Sequence, residues 1–514
     1  MFRSLIKSWS TRFATAFLLV VPVAVAENTD FDLTGIPAFR DQFPGYLGDG
    51  IRVIIAEAGE TPNTFQIDPV MVGQPLSLFT YYSKLGQSSQ FPNDIGKNSG
   101  HANTVGNIFI GKESGVAPNV SHIDNFDGIF FFNEFVVPNR QPPARIINQS
   151  FILAGPPPSA IEAEYDDFID RQDVLIISSS GNSGMVQPPS TSYNAISVAS
   201  MMGSSSVGPT TDGRSKPDIT APAFATSFSA PLVSGVAAVL LQAAQDGHGG
   251  TNTISEAKRS LVLKSLILNG SRKPDGWTNS PMEPLDHRHG AGVVNLFHSH
   301  QQLIAGKQSF SETTKGVEPA AGIPSASGVG TTGWDLNTIT SSFTQDSANH
   351  YPFSTGSTSS GFFTLTWNKR FAQPQITDLD LFLFQSDTRT LIGSSVSKID
   401  NVEHIYLPTL PAGEYDLVVV KKGGGSTSTG NQEIYALAWQ LVSQNVELNV
   451  LRKEGELEVS WIGSKSGLIL EIGRYSGAIL FWKRYQGPVE SLGGKVTARF
   501  MANEETGFFR LRQP

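Results

Sequence analysis

Thirteen consecutive residues, 232 to 244, read Leu-Val-Ser-Gly-Val-Ala-Ala-Val-Leu-Leu-Gln-Ala-Ala and carry no charge. A helix of this composition has no polar side to turn to water, so it is stable only when protein surrounds it. The stretch therefore predicts a helix through the centre of a domain, and the rest of that domain must be built to cover it.

The segments upstream suit that demand. Short β-branched runs, Ile51-Arg52-Val53-Ile54-Ile55, Arg145-Ile146-Ile147 and Val174-Leu175-Ile176-Ile177, alternate with small-residue helical stretches. Continuous apolar strands separated by helices predict an α/β domain with a mostly parallel sheet flanked by helices. After Leu303 the composition shifts to Gly, Ser, Thr, Pro and Ala, which reads as a linker over 306–331. Alternating runs such as Phe363-Thr364-Leu365-Thr366-Trp367 and Tyr415-Asp416-Leu417-Val418-Val419-Val420 then predict an antiparallel β-sandwich over 332–443. A small β module is expected over 444–514, around Leu457-Glu458-Val459-Ser460-Trp461.

At 514 residues the chain exceeds one ordinary core, so a catalytic unit over 27–305 with accessory modules is expected. A formal charge of -9 leaves no broad basic surface for phosphates, which argues against nucleic acid as a partner. The absence of cysteine removes disulfides, thiolate metal sites and cysteine nucleophiles. Arg3, Lys7 and Arg12 precede an apolar run from Phe13 to Ala26 that ends Ala24-Val25-Ala26. That order predicts a signal peptide over 1–26 and a secreted, periplasmic or extracellular location. The run contains Pro22 and falls short of the roughly 20 residues a bilayer core requires, so no transmembrane segment is expected after the signal is removed.

Chemistry concentrates just before the uncharged helix, in Ala225-Thr226-Ser227-Phe228-Ser229-Ala230-Pro231. Ser227 would lie near the helix N-terminus, where free backbone N–H groups favour negative charge. Taken alone, a serine there is more often a helix cap than a nucleophile. It is not alone. Gly100-His101-Ala102-Asn103-Thr104-Val105-Gly106 precedes Gly115-Val116-Ala117-Pro118, Ser180-Gly181-Asn182-Ser183-Gly184 follows an apolar strand, and Gly208 to Pro222 leads toward the serine. These ordered segments resemble the subtilase family of serine peptidases over roughly residues 45 to 300.

The resemblance implies a subtilisin-like fold, His101 as general base, Ser227 as nucleophile and Asn182 as a side-chain donor to the oxyanion, with the Ser227 N–H as the second donor. It also implies that Ser150 and Phe151, in Asn148-Gln149-Ser150-Phe151, border the cleft where an extended peptide pairs. In the register of the family's orienting aspartate stands Glu57; its extra methylene requires the backbone or ring to shift by about a bond length, though other serine hydrolases use glutamate in this role. Ala225 replaces the glycine usual before Thr-Ser, and the stretch from Pro222 to Ser227 is short.

The expected function is a secreted serine endopeptidase acting on protein or peptide through Glu57, His101 and Ser227, with no cofactor required. The alternative is a catalytically degenerate, subtilase-like secreted binding protein. His287-Arg288-His289 and His298-Ser299-His300 read as parts of a solvated loop rather than a metal site. Asp378 and Asp380 have carboxylates suited to calcium, but with no further ligands in sequence a structural calcium stays unassigned and a polar strand face is favoured. The sandwich resembles one appended to many secreted bacterial peptidases, which implies attachment to a cell surface or extracellular matrix.

Overall fold

A computed structural model describes residues 30–59, 61–153, 158–316, 328–342, 345–371, 373, 375–423, 432–443, 448–453, 456–462, 469–476, 479–485, 487–492, 495–501 and 508–512. The expected signal peptide lies outside the described residues. In chain order the α/β region comprises α1 (Ile36–Gln42), β1 (Arg52–Glu57), β2 (Thr64–Gln66), β3 (Phe79–Ser83), β4 (Gly86–Ser88), β5 (Lys97–Asn98), α2 (Gly100–Ile110), β6 (His122–Asp127), α3 (Gly128–Phe131), β7 (Ile146–Gln149), α4 (Pro158–Gln172), β8 (Leu175–Ser179), β9 (Ile196–Ser200), β10 (Ile219–Ala221), α5 (Thr226–Gln245), α6 (Ile254–Ala257), α7 (Ser260–Asn269) and α8 (Leu296–Ala305).

Eight strands form one sheet in the order β10-β9-β8-β7-β1-β6-β3-β4. All neighbours run parallel except β3 and β4. The side-chain alternation of β1 divides two cores: Val53 and Ile55 join the cluster that holds α2 and α5, whereas Ile54 and Ala56 join Phe131 and Phe168 on the opposite face. The uncharged helix is α5, and every residue in it except Phe228 and Gln245 is buried. Its length and apolarity would also suit a membrane span, but here the sheet and neighbouring helices enclose it.

Close approach needs a missing side chain at one point on α5. A Cβ on Gly235 would lie 2.3 Å from the Val116 Cβ, in the Gly115-Val116-Ala117-Pro118 turn.

The second region contains β11 (Glu312–Gly316), β12 (Thr332–Thr340), β13 (Asp346–Thr355), β14 (Ser359–Trp367), β15 (Leu379–Gln385), β16 (Thr390–Ser395), β17 (Val402–Leu410), β18 (Gly413–Lys421) and β19 (Gln432–Ser443). Two antiparallel sheets, β11-β13-β18-β15-β16 and β12-β19-β14-β17, enclose Tyr351, Phe363, Leu381, Leu417 and Trp439. The stretch read as a linker is in part a strand: Glu312–Gly316 pairs with β13 as the sheet's edge. Its polar sequence, Glu-Thr-Thr-Lys-Gly, hid it, because an edge strand needs ladder hydrogen bonds rather than an apolar face. The last strands, β20 (Asn449–Lys453), β21 (Glu456–Ile462), β22 (Ile469–Ser476), β23 (Ile479–Arg484), β24 (Val489–Leu492), β25 (Lys495–Met501) and β26 (Phe508–Arg512), form two small sheets around Val459, Trp461 and Val496.

One histidine expectation is overturned. His298 and His300 are not in a solvated loop but buried on α8, where the His300 ring meets Phe39 and Phe43 edge-on at 4.9 and 4.5 Å. Its Nε2 lies 2.8 Å from His248 Nδ1. Burial holds both His298 and His300 down to a pKa of about 3, so they are neutral members of the packing.

Gly235→Ala forces a methyl into the Val116 side chain and is expected to lower stability by about 1–3 kcal/mol. Urea unfolding followed by tryptophan fluorescence measures that loss; an unchanged midpoint would show that the turn yields freely.

Candidate active site

The sheet's carboxyl edge gathers the residues singled out by sequence. β1 ends on Glu57, which is 1% exposed. The next segment returns to α2, whose first turn Ser99 caps by accepting the Ala102 N–H at 3.1 Å, and this sets His101 over the end of β1. His101 Nδ1 and Glu57 Oε2 are 2.7 Å apart. The extra methylene of glutamate is thus accommodated with an ordinary hydrogen-bond length. Nδ1–H donation to the carboxylate leaves the lone pair on Nε2.

Glu57 is held by that single interaction: its Oε1 is buried and has no hydrogen-bond partner among the described residues. Burial pushes its pKa up, and the His101 bond only partly offsets this. Desolvation outweighs pairing because one neutral-to-partial donor replaces the several waters a free carboxylate would have.

Ser227 is the second residue of α5, and the cap reading fails for it. The N-cap is Ala225, with no side-chain cap bond. Its φ of -147° and ψ of 153° are ordinary extended values, so the alanine that stands for the family's glycine fits without strain. The Ser227 hydroxyl donates instead to the Ser150 carbonyl at 3.3 Å, while the Ser150 hydroxyl donates to the Ser227 carbonyl at 2.8 Å. The second bond has a cause four residues along the helix. Pro231 lacks an N–H, so the Ser227 carbonyl has no partner in the helical ladder and is left for Ser150. Asn148 Nδ2 in turn donates to Ser150 Oγ at 3.0 Å, and Ser234 Oγ donates to Asn148 Oδ1 at 3.0 Å.

The short approach to the serine is held as an extended ladder. Met201 N donates to Ala221 O at 3.0 Å, Met202 N to Ala223 O at 3.2 Å, and Ser204 bridges Ala225. Gly203 allows this, because a Cβ there would fall 2.0 Å from the Phe224 carbonyl oxygen.

Asn182 is exposed at the end of the β8 loop, and its Oδ1 accepts both the Thr226 N–H at 3.0 Å and the Thr226 hydroxyl at 2.9 Å. A backbone N–H can only donate, so the amide orientation is determined and Nδ2 remains as the free pair of donors beside the first turn of α5.

Of the two residues expected to border the cleft, Ser150 turns its hydroxyl to the α5 backbone. Phe151 is buried against Gly128 in the α3–α4 core, so its side chain does not line an open cleft. Ile152, the next residue, is 48% exposed and turned outward. Phe228 was not singled out in sequence; its ring lies 5.7 Å from the His101 ring, tilted by 34°. No group of three or more His, Cys, Asp or Glu placed to hold a metal occurs among the described residues. Asp380 lies 3.2 Å from Lys422 Nζ instead.

Residues 81–292 match the family model described as the subtilase family. The chain carries a subtilase-family serine peptidase domain. The match takes in His101, Asn182 and Ser227, whereas Glu57 lies before it. No curated protein matches the sequence. Among solved structures the chain is similar to a mutant of the protease domain of PatA, at 21% identity over 50% of this chain and 96% of that one, with a TM-score of 0.35. It is also similar to a lanthipeptide protease, at 13% identity over 52% and 94% of the two chains and a TM-score of 0.36. Similarity to tripeptidyl peptidase 2 covers 74% of this chain and 43% of that one, at 12% identity and a TM-score of 0.32.

The raised pKa of Glu57 has a definite sign for stability. The penalty of the buried charge is absent below the unfolded-state value, grows as pH rises, and is complete above the raised folded-state value. Glu57→Gln is therefore expected to unfold at higher temperature than the parent near pH 8, with the two converging toward about pH 4. Thermal unfolding across that range tests it; a variant less stable at high pH would mean that the His101 bond outweighs burial.

Proposed function

We propose that the protein is an exported serine endopeptidase that cleaves protein or peptide substrates through Glu57, His101 and Ser227. The observation that carries this reading is the 2.7 Å Glu57–His101 contact, with Phe228, the chain neighbour of Ser227 in the first turn of α5, 5.7 Å from the imidazole ring, and with Ser227 itself capping nothing. Glu57 holds the imidazole with Nδ1 protonated and stabilises the imidazolium once it forms. His101 Nε2 takes the hydroxyl proton of Ser227, the proton now shared with the Ser150 carbonyl. Ser227 Oγ then bonds to the substrate carbonyl carbon.

Charge that develops on the carbonyl oxygen meets Asn182 Nδ2 and the Ser227 N–H. Collapse of the adduct expels the amine, which leaves with the proton from His101, and the acyl group stays on Ser227. Water, deprotonated by the same imidazole, releases the acid and restores the serine. The extended peptide pairs along the backbone edge at Ser150 and Phe151, as the family resemblance implies. The reaction needs no cofactor, and no residues are assigned to a structural calcium. The signal-like residues 1–26 support export to the periplasm or exterior, and the β modules allow attachment to a surface or matrix.

Cleavage of unfolded casein, followed as new amino termini, is expected for the wild type and lost in Ser227→Ala. Asn182→Ala is expected to lower kcat by about a hundred- to a thousandfold. Full cleavage by Ser227→Ala would sink the assignment of the nucleophile. A wild type that binds peptides without cutting them would favour the degenerate binding protein.

A further inference from the structure

Helix α7 is buried at all ten of its residues, from Ser260 to Asn269. A helix at the surface of a free-standing α/β domain leaves one side in water, so α7 must be covered on both sides. One side faces α5 and β8, and the other faces β14 and β19 of the sandwich. The apolar core continues across the same boundary. Trp334 of β12 and Val402 of β17 are fully or nearly fully buried in the cluster that contains α5, α7 and α8. Trp334 Nε1 donates to the Leu303 carbonyl at 3.2 Å, on α8.

Polar groups cross the boundary as completed chains. Thr364 of β14 donates to Asn269 Oδ1 of α7 at 2.8 Å, and Asn269 Nδ2 donates to Gln302 Oε1 of α8 at 2.8 Å. His404 of β17 lies 2.8 Å from Thr364 and 2.8 Å from Lys273 Nζ. The Thr364–Asn269 and Lys273–His404 bonds would both be lost if the sandwich moved away, which would strand buried polar groups on each side.

A second set of bonds reaches toward the site. The Asn194 side chain accepts the Lys369 N–H at 2.8 Å and donates to the Lys369 carbonyl at 2.8 Å, as a strand neighbour would. Asn401 Nδ2 approaches the same Asn194 oxygen at 3.3 Å. Asp400, 3% exposed, accepts the Ser215 N–H at 2.8 Å. Residues 194–200 lead through β9, the neighbour of the β8 strand that runs out to Asn182. Residues 215–221 lead through β10 into the approach to Ser227.

We infer that the β-sandwich is the second half of the peptidase's folding unit rather than a separately folding appendage, and that Asp400 and Asn401 are positioning residues for its oxyanion side. The unit that folds together comprises the described residues between 30 and 443. The positioning role rests on the peptidase reading above; the shared folding unit does not.

Hydrogen exchange of the full chain in rising urea separates the two. Amides of α7 and β9 are expected to lose protection at the same urea concentration and with the same slope as those of β14 and β17, and Asp400→Ala is expected to shift all four together. Loss of protection in β14 and β17 while α7 and β9 stay protected would overturn the inference, as would an Asp400→Ala effect confined to the sandwich. For positioning, Asp400→Ala is expected to lower kcat about tenfold with little change in KM, and Asp400→Asn, which keeps an acceptor for Ser215, to restore most of it. Equal kcat in Asp400→Ala and the parent would overturn that part. A parent chain inert toward casein would remove the peptidase reading and the positioning role with it, and leave the exchange result standing.

Discussion

Burial of α5 is the constraint on which the rest of the structure depends. A helix of twenty residues without a charged side chain needs apolar neighbours in every direction, and the sheet, α2, α7 and α8 supply them. The same helix sets the chemistry. Gly235 lets it approach the turn after α2, which fixes its position relative to the helix carrying His101. Pro231 frees the Ser227 carbonyl, and Ser150 takes it, which ties the N-terminus of α5 to the end of β7. A packing requirement and one missing N–H thus fix α5 against the turn after α2 and the end of β7.

The electrostatics of the site follow from unequal burial. Glu57 is sealed in the interior with one hydrogen bond, while the His101 side chain is 34% exposed and Asn182 reaches solvent. A buried carboxylate with one partner is costly, of the order of several kcal/mol before pairing. That cost is the counterpart of a strong field at the imidazole: a charge unshielded by water stabilises a cation beside it more than an exposed one would.

The boundary between the two large regions is made as an interior is made, not as a surface contact. Trp334 lies in the peptidase core, α7 has no free face, and buried polar groups form chains that run from one region to the other. On the other flank, Arg214 is 2% exposed, stacks on Tyr193 at 4.0 Å and pairs with Glu162 and Asp212, next to the Ser215 that Asp400 holds. Ionic groups so enclosed are stable only while every partner stays in place. The segments that lead to Asn182 and to Ser227 are therefore held from the sandwich side as well as by the sheet.

Local pattern was enough to read the central helix, the parallel strands around Val53, Ile147 and Ile176, the alternating strands of the sandwich, and the order of His101, Asn182 and Ser227. Periodicity and motif order depend on residues close in the chain, and a sequence displays those directly. Tertiary structure alone decided that Ser227 caps nothing, that Glu57 reaches the imidazole despite its longer side chain, that Phe151 turns inward, and that His298 and His300 are buried. It also decided that the polar run Glu312–Gly316 is a strand and that the sandwich shares a core with the peptidase domain. Each of these depends on a partner far along the chain: Ser150 for Ser227, Phe39 for His300, His350 for Glu312, Asn401 for Asn194. Which distant group meets a side chain is a property of packing, and no local spacing encodes it.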